Sequence, residues 1–117
     1  TDDANTISSA FTAGVRLQAG WGQMAGVNAV TMNESVTFPD AFTTVLGVIV
    51  TPVGITGNDS TPATSITDLE TAFAVFPATT MPTGISNSGF TVHYTIESGN
   101  NFNTTRHYAY SWIAWGV

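Results

Sequence analysis

Residues 106–117 read Arg-His-Tyr-Ala-Tyr-Ser-Trp-Ile-Ala-Trp-Gly-Val and predict a β-strand with large side chains on both faces. Successive side chains of a strand point to opposite sides, so residues two apart share a face. One face therefore carries Tyr108, Tyr110, Trp112 and Ala114, and the other carries His107, Ala109, Ser111, Ile113 and Trp115.

A strand with two such faces is either central in a sheet or covered on its outer side by another chain. Core packing is the better interpretation for Tyr110 and Trp112. For His107, Tyr108 and Trp115, a contact with a second subunit or with a ligand stays open.

Other segments predict the partners of this strand. Residues 15–21, 27–38 and 90–96 alternate in side-chain polarity, which indicates strands. Residues 46–53 form a nearly continuous β-branched run that is typical of a buried strand, and residues 71–76 are a further short apolar segment. Glycine, proline and asparagine turns separate these segments, and no helical period is present. The pattern predicts a small antiparallel β-sandwich of about six strands.

Three polar stretches predict the loops. Residues 54–68 form a long loop, and loops of that length in a compact domain are usually functional or mobile. Residues 81–88 are a second loop. Residues 97–105 read as a hairpin loop that would pair the strand at 90–96 with the last strand, which would bring His93 close to His107.

The composition limits the classes of partner. The 117 residues suit one domain, with residues 1–13 as a lead-in from an upstream stalk and residues 14–117 as the folded part. Charged residues are only 9%, the net charge is −6, and Arg16 and Arg106 are the only fixed cations. Nucleic acid and anionic membranes require a basic patch, so neither is expected as a partner. No apolar run is long enough to span a membrane, and there is no cysteine for a disulfide or a thiolate metal site.

No catalytic motif is present, so we expect no enzymatic activity and no cofactor. Asp68 and Glu70 are close in sequence, but their surroundings resemble a loop rather than a catalytic cleft. Glu34 lies on an apolar face and is expected at a sheet end or beside one of the two arginines. A metal shared by His93 and His107 would need a third ligand, so two independent histidines and no metal are the preferred prediction.

The polar and aromatic residues fit sugar binding best. A sugar needs an aromatic surface for its C–H groups and fixed polar groups for its hydroxyls. The candidate ligand-binding residues are Arg106, His107, Tyr108, Trp115, His93 and Asn103.

Four motifs in a fixed order carry a family resemblance. They are Trp21-Gly22, Val-Thr-Phe-Pro-Asp-Ala-Phe at 36–42, Ser-Gly-Phe-Thr-Val at 88–92, and Tyr-Ser-Trp-Ile-Ala-Trp-Gly at 110–116. Together they span nearly the whole of residues 15–117. The chain resembles the C-terminal tip domain of tailed-phage tail fibres and is similar in plan to the H-type lectins.

The resemblance implies a homotrimeric receptor-binding tip at the distal, extracellular end of a virion's tail fibre. Its partner would be a bacterial surface polysaccharide or lipopolysaccharide. The sugar site would lie between neighbouring subunits at Arg106, His107 and Tyr108, with Trp115 and His93 as further members. The chain departs from the family in ending Trp-Gly-Val and in its long loop at 54–68, which suggests a binding loop specific to this protein.

Three alternatives stay open at this point. The domain would act only as a structural trimerisation and capping element, with no ligand of its own. A hydrolase would need an acid pair in a cleft, which the sequence does not show. A cellular H-type lectin would share the same plan.

Overall fold

Six strands form two antiparallel sheets of three strands each in the computed structural model, which describes residues 14–57, 61–69, 79–96 and 101–117. The strands are β1 (Arg16–Ala25), β2 (Thr31–Thr37), β3 (Val45–Ile55), β4 (Thr79–Thr83), β5 (Gly89–Thr95) and β6 (His107–Gly116). Helical structure in these ranges is limited to a 3-10 turn at Ile66–Asp68, and no helix there is long and apolar enough to cross a membrane. The predicted lead-in at 1–13 and the apolar segment at 71–76 lie outside the described residues. The all-β sandwich prediction is confirmed.

β6 is the middle strand of the first sheet, whose order is β1-β6-β3, as its two covered faces predict. The second sheet has the order β2-β5-β4. The predicted hairpin between β5 and β6 is wrong, because the two strands belong to different sheets. Phe102, within the segment 97–105 predicted as that hairpin loop, is buried, and its ring lies 6.2 Å from Tyr94 and 5.0 Å from Tyr108. Phe102 thus packs between Tyr94 of the second sheet and Tyr108 of the first, at the point where the chain passes from one sheet to the other.

Two edge strands depart from the sequence prediction. β3 was expected to be buried, but it lies at the edge of the first sheet and Ile49 is 56% exposed. The last three residues of β4, including Pro82, belong to the segment 81–88 for which the sequence predicts a loop. Proline is tolerated in an edge strand, where its missing N–H need not join a ladder, and Pro52 in β3 follows the same rule.

The two sheets pack through a core rich in aromatic rings. Phe38 lies 5.7 Å from Trp112 and 5.8 Å from Phe90, measured between ring centroids. The Trp112 ring covers Gly20 and the Tyr110 ring covers Gly22, both in β1, so closely that an added Cβ would clash with each ring. The glycine-bearing face of β1 is therefore the face that receives the β6 aromatics.

A hydrogen bond inside the sandwich corrects the prediction for Glu34. The Tyr110 hydroxyl of the first sheet donates to the Glu34 carboxylate of the second. Neither arginine is the partner: Arg16 forms an ion pair of 2.5 Å with Asp40, and the described contact of Arg106 is with a backbone carbonyl. Glu34 therefore has a structural role, and its partner is a tyrosine rather than a cation.

Candidate functional site

The outer face of the first sheet carries exposed apolar side chains. The pairing of β6 with β1 and with β3 determines which side chains lie next to each other on this face. We call the following residues the apolar patch: Leu17, Trp21, Ile49, Ile113 and Trp115. Leu17, Ile49 and Ile113 are each close to half exposed or more, at 47%, 56% and 47%. Contact of these exposed apolar side chains with water is energetically unfavourable.

Trp115 is half-buried by a neighbour in its own chain. Its ring lies over Gly47 of β3, where an added Cβ would clash with the indole. The Trp115 ring is therefore fixed at one end of the apolar patch, next to Leu17, its pairing partner in β1.

The outer face of the second sheet is polar by contrast. Its side chains are mostly hydroxyls, from Thr31, Ser35, Thr79, Thr83, Thr91 and Thr95. In the middle row His93 Nδ1 lies 2.6 Å from Asn33 Oδ1, and Met81 is the one large apolar neighbour paired with His93. The sandwich thus presents one apolar and one hydroxyl-rich surface on opposite sides.

The segment 61–69 lies over the other end of the first sheet's outer face. Gln23 of β1 holds it with two hydrogen bonds to one residue: its Nε2 donates to the Ala63 carbonyl at 2.7 Å, and its Oε1 accepts from the Ala63 N–H at 2.9 Å. Gln23 occupies the same strand face as Trp21, two residues or about 7 Å away. The segment therefore borders the apolar patch.

Thr56 joins this segment to the start of β6. The His107 N–H donates to Thr56 Oγ1 at 2.9 Å, and the Thr56 N–H donates to the His107 carbonyl at 3.0 Å. Arg106 donates from its guanidinium to the Thr56 carbonyl at 3.0 Å. These three bonds extend the pairing of β3 and β6 beyond the strands and fix the backbone there.

A cavity of about 270 Å³ opens between Thr56 and the 3-10 turn. Its lining residues are Thr56, Gly57, Thr61, Pro62, Ala63, Thr64 and Asp68. Asp68 Oδ2 accepts hydrogen bonds from the Thr64 hydroxyl at 2.6 Å and from the Thr64 and Ser65 N–H groups, both at 3.1 Å. These bonds, led by the Thr64 hydroxyl, lower the pKa of Asp68 from its ordinary 3.8. The cavity therefore has hydroxyl walls and one ionised carboxylate.

Three of the residues predicted from the sequence lie together at this end of the sandwich. Arg106 and His107 contact Thr56 directly. The Asn103 carbonyl accepts from the Arg106 N–H at 3.1 Å, while the Asn103 side-chain oxygen accepts from the N–H and hydroxyl of Thr105. His107 Nδ1 is buried and finds no hydrogen-bond partner among the described residues, which is unusual for a buried polar atom.

Tyr108 lies wholly inside the core and presents no surface to a ligand. Its ring packs edge-on against Phe102, and its hydroxyl accepts from the Asn103 N–H at 2.9 Å. We therefore assign Tyr108 a packing role and leave it out of the candidate site.

His93 and Trp115 lie apart from this group. Trp115 is eight residues along β6 from His107, about 27 Å in an extended strand. His93 lies on the outer face of the second sheet, on the opposite side of the sandwich from His107, so the two histidines of one protomer cannot share a metal ion. The described part of the chain contains no group of three potential metal-ligating carboxylates and histidines.

The sequence analysis did not single out the cavity residues. Gln23 and Thr56 belong to no recognisable motif. Asp68 attracts notice in the sequence only because Glu70 lies close to it as a possible second catalytic carboxylate. The available signal was the length of the loop at 54–68, which indicated a functional segment without naming its partners.

Comparisons with known proteins bear on the fold. No protein-family model matches the chain, and no curated protein matches it in sequence. Among solved structures it is similar to an N-truncated R1-type pyocin tail fibre, with a TM-score of 0.57 and 22% identity over 88% of this chain and 71% of that one. The chain shares the fold of the R1 pyocin tail fibre. A second structure, of a P. aeruginosa R1 pyocin fibre fragment, gives a TM-score of 0.55 and 22% identity over 88% of this chain and 23% of that one.

The described surface of this chain has three main features: the apolar patch, the hydroxyl-rich second sheet and the cavity at Thr56 and Asp68. The latter two provide polar chemistry suited to hydroxylated ligands, whereas the apolar patch is suited to another protein surface.

Proposed function

We propose that this domain is the non-enzymatic receptor-binding tip of a phage tail fibre and that it recognises a bacterial surface polysaccharide or lipopolysaccharide. The likeness to the pyocin tail fibre fold supports the fibre assignment. The observation that carries ligand recognition is the cavity beside Arg106 and Thr56, a concave polar site with fixed walls. On this proposal the domain lies at the distal, extracellular end of the fibre.

The proposed assembly is a homotrimer in which the apolar patch contacts neighbouring copies. Exposed apolar surfaces of this kind usually mark interfaces, and burial stabilises them by about 25 cal/mol per Å² of apolar area. Ile49 and Ile113 form the centre of the patch and are paired across β3 and β6. The low charged fraction of 9% suits such contacts, because charges are depleted at interface cores.

The position of the cavity agrees with a site at a subunit boundary. Gln23 holds the cavity wall at Ala63, and Trp21 of the apolar patch lies next along the same face of β1. A copy packed on the patch would therefore approach the cavity rim. Three equal sites would then add weak sugar contacts into strong attachment.

Binding without hydrolysis is part of the proposal. The three carboxylates that the structure describes are engaged in different parts of the fold: Glu34 with Tyr110, Asp40 with Arg16, and Asp68 with Thr64 and Ser65. A glycosidase requires two carboxylates facing one bond. The cavity residues bind through hydroxyl and carboxylate groups and need no cofactor.

A second candidate function is a trimerising cap with no ligand of its own. The apolar patch favours it, because subunit packing alone accounts for the exposed residues of the first sheet. The two candidates differ in what they require of the cavity, since a cap makes no use of it.

Binding of the labelled domain to bacterial cells and to a glycan array tests the proposal. Three proteins are compared: the unmodified chain, Ala63→Phe, which fills the cavity, and Met81→Phe, a matched substitution on the opposite outer face. We expect the first and third to bind alike and Ala63→Phe to lose binding while it keeps the oligomeric mass. A folded trimer that binds no cell and no glycan would exclude the receptor role and leave the capping role.

A further inference from the structure

The cavity at Thr56 and Asp68 has the size of a subsite rather than of a groove for a long chain. Its volume is about 270 Å³, slightly below the roughly 300–1,000 Å³ of pockets for drug-sized ligands. That is room for one sugar ring with its hydroxyls.

The walls of the cavity are fixed before any ligand arrives. Gln23 holds Ala63 through two hydrogen bonds, and Arg106 and His107 hold Thr56. Ser65 and Asp68 close the 3-10 turn through a reciprocal capping box. A preformed site loses little conformational entropy on binding, which is required if a single sugar ring is to bind measurably.

The carboxylate of Asp68 sets the charge of the cavity. Its Oδ2 is saturated by Thr64 and Ser65, whereas its Oδ1 makes no hydrogen bond within the described ranges. A carboxylate oxygen with free lone pairs accepts hydrogen bonds from hydroxyl donors and repels an anion. The guanidinium of Arg106 bonds the Thr56 carbonyl and does not itself line the cavity.

We propose, building on the receptor role above, that this cavity is a subsite for a neutral sugar residue, held through hydroxyls donated to Asp68 and excluding uronic and other acidic sugars. Thr61 and Thr64 contribute the remaining hydroxyl surface, and Pro62 and Ala63 contribute the apolar wall against the C–H groups of the ring. A net charge of −6 over the chain reinforces the discrimination against acidic glycans.

The test follows the backbone amide signals of residues 61–68 by NMR while methyl glycosides are added to the full chain. The probes are methyl glucoside, methyl galactoside and methyl mannoside, with methyl glucuronide as the acidic counterpart. We expect at least one neutral glycoside to shift these signals and the glucuronide to bind at least 10-fold more weakly. Asp68→Asn keeps the shape and one acceptor oxygen, and it should weaken the neutral sugar about 10-fold or more.

Asp40→Asn is the matched control, because it removes a carboxylate of the chain far from the cavity and should leave sugar binding unchanged. Ala63→Phe provides an independent variant that fills the cavity without removing a hydrogen bond, should Asp68→Asn loosen the turn. Tighter binding of the glucuronide, or a response to calcium chloride without sugar, would overturn the proposal. If the domain binds cells but no neutral glycoside shifts the signals of residues 61–68, the subsite proposal is overturned and the receptor role remains. If the domain binds neither cells nor sugars, both proposals are overturned.

Discussion

The hydroxyl of Tyr110 in the first sheet donates a hydrogen bond to the Glu34 carboxylate in the second, so a polar contact links the two halves of an aromatic core. The same tyrosine ring lies over Gly22. Burial, followed by the contact with Glu34, raises the pKa of Tyr110 well above its ordinary value of 10.0. Burial also raises the pKa of Tyr94, whose hydroxyl donates to the Ala109 carbonyl at 3.0 Å.

Alkaline titration should therefore separate the folded from the unfolded chain. In the unfolded chain Tyr94 and Tyr110 ionise near their ordinary pKa of 10.0, while the folded protein keeps both protons. Their stabilising contribution is complete below pH 10 and decreases as the pH rises towards the folded pKa, by at most about 1.4 kcal/mol per pH unit for each tyrosine. Near-ultraviolet tyrosinate absorbance and urea unfolding at a series of pH values measure both effects. Full tyrosinate amplitude in the folded protein at about pH 11 would contradict this assignment.

Substitution of Gly22 by alanine should destabilise the domain. The added Cβ meets the Tyr110 hydroxyl end of the ring, which cannot move away without breaking its bond to Glu34. We expect a loss of about 1–3 kcal/mol in the free energy of unfolding. Ala25→Ser in the same strand, at an exposed position, is the control and should stay within about 0.5 kcal/mol of the unmodified protein.

A charge at the centre of the apolar patch should dissociate the proposed trimer. Ile113→Asp introduces a carboxylate at a position that is 47% exposed in one protomer and would be buried between copies. Light scattering should then give the 12.3 kDa mass of one chain instead of three times that value. Met81→Asp introduces the same charge at a 43% exposed position on the second sheet and should leave the trimer unchanged. A patch variant that keeps the mass of the unmodified protein would move the interface elsewhere.

Substituting the two glutamines of β1 one at a time tests whether each of them holds its own loop residue in place. Gln23 holds Ala63 and Gln18 holds Asp40, each through a donor and an acceptor on the same backbone residue. Gln23→Ala should speed hydrogen exchange at the Ala63 amide and weaken sugar binding, and Gln18→Ala should speed exchange only at Asp40. Each lost pair is expected to destabilise its loop by roughly 1–3 kcal/mol. Equal exchange at Ala63 in both variants would show that Gln23 does not fix the cavity wall.

Local pattern was sufficient to predict β6 and its environment. Large side chains on both faces predicted a strand that is central in its sheet or covered by another chain, and β6 is the middle strand of the first sheet, with Ile113 on its outer face still 47% exposed. These features depend on period-two alternation, which is fixed by the backbone and not by the rest of the fold.

Strand pairing and the cavity depend instead on contacts between distant residues. The hairpin predicted for β5 and β6 failed because Phe102 enters the core, and its polar neighbours in the sequence concealed that. The partner of Glu34 could not be chosen from the sequence, since a tyrosine 76 positions away satisfies it. The cavity likewise joins Thr56 to residues 61–68 through Gln23, whose role follows from the register of β1 and from no motif.

The order of strands in the first sheet has a consequence for biosynthesis. β1 and β3 do not pair with each other; both pair with β6, which follows the other five described strands in the sequence. Until β6 leaves the ribosome, β1 and β3 each lack their ladder partner, and their exposed edges are open to association with other nascent chains. Closure of the first sheet therefore waits for β6 and depends on contacts that span much of the sequence.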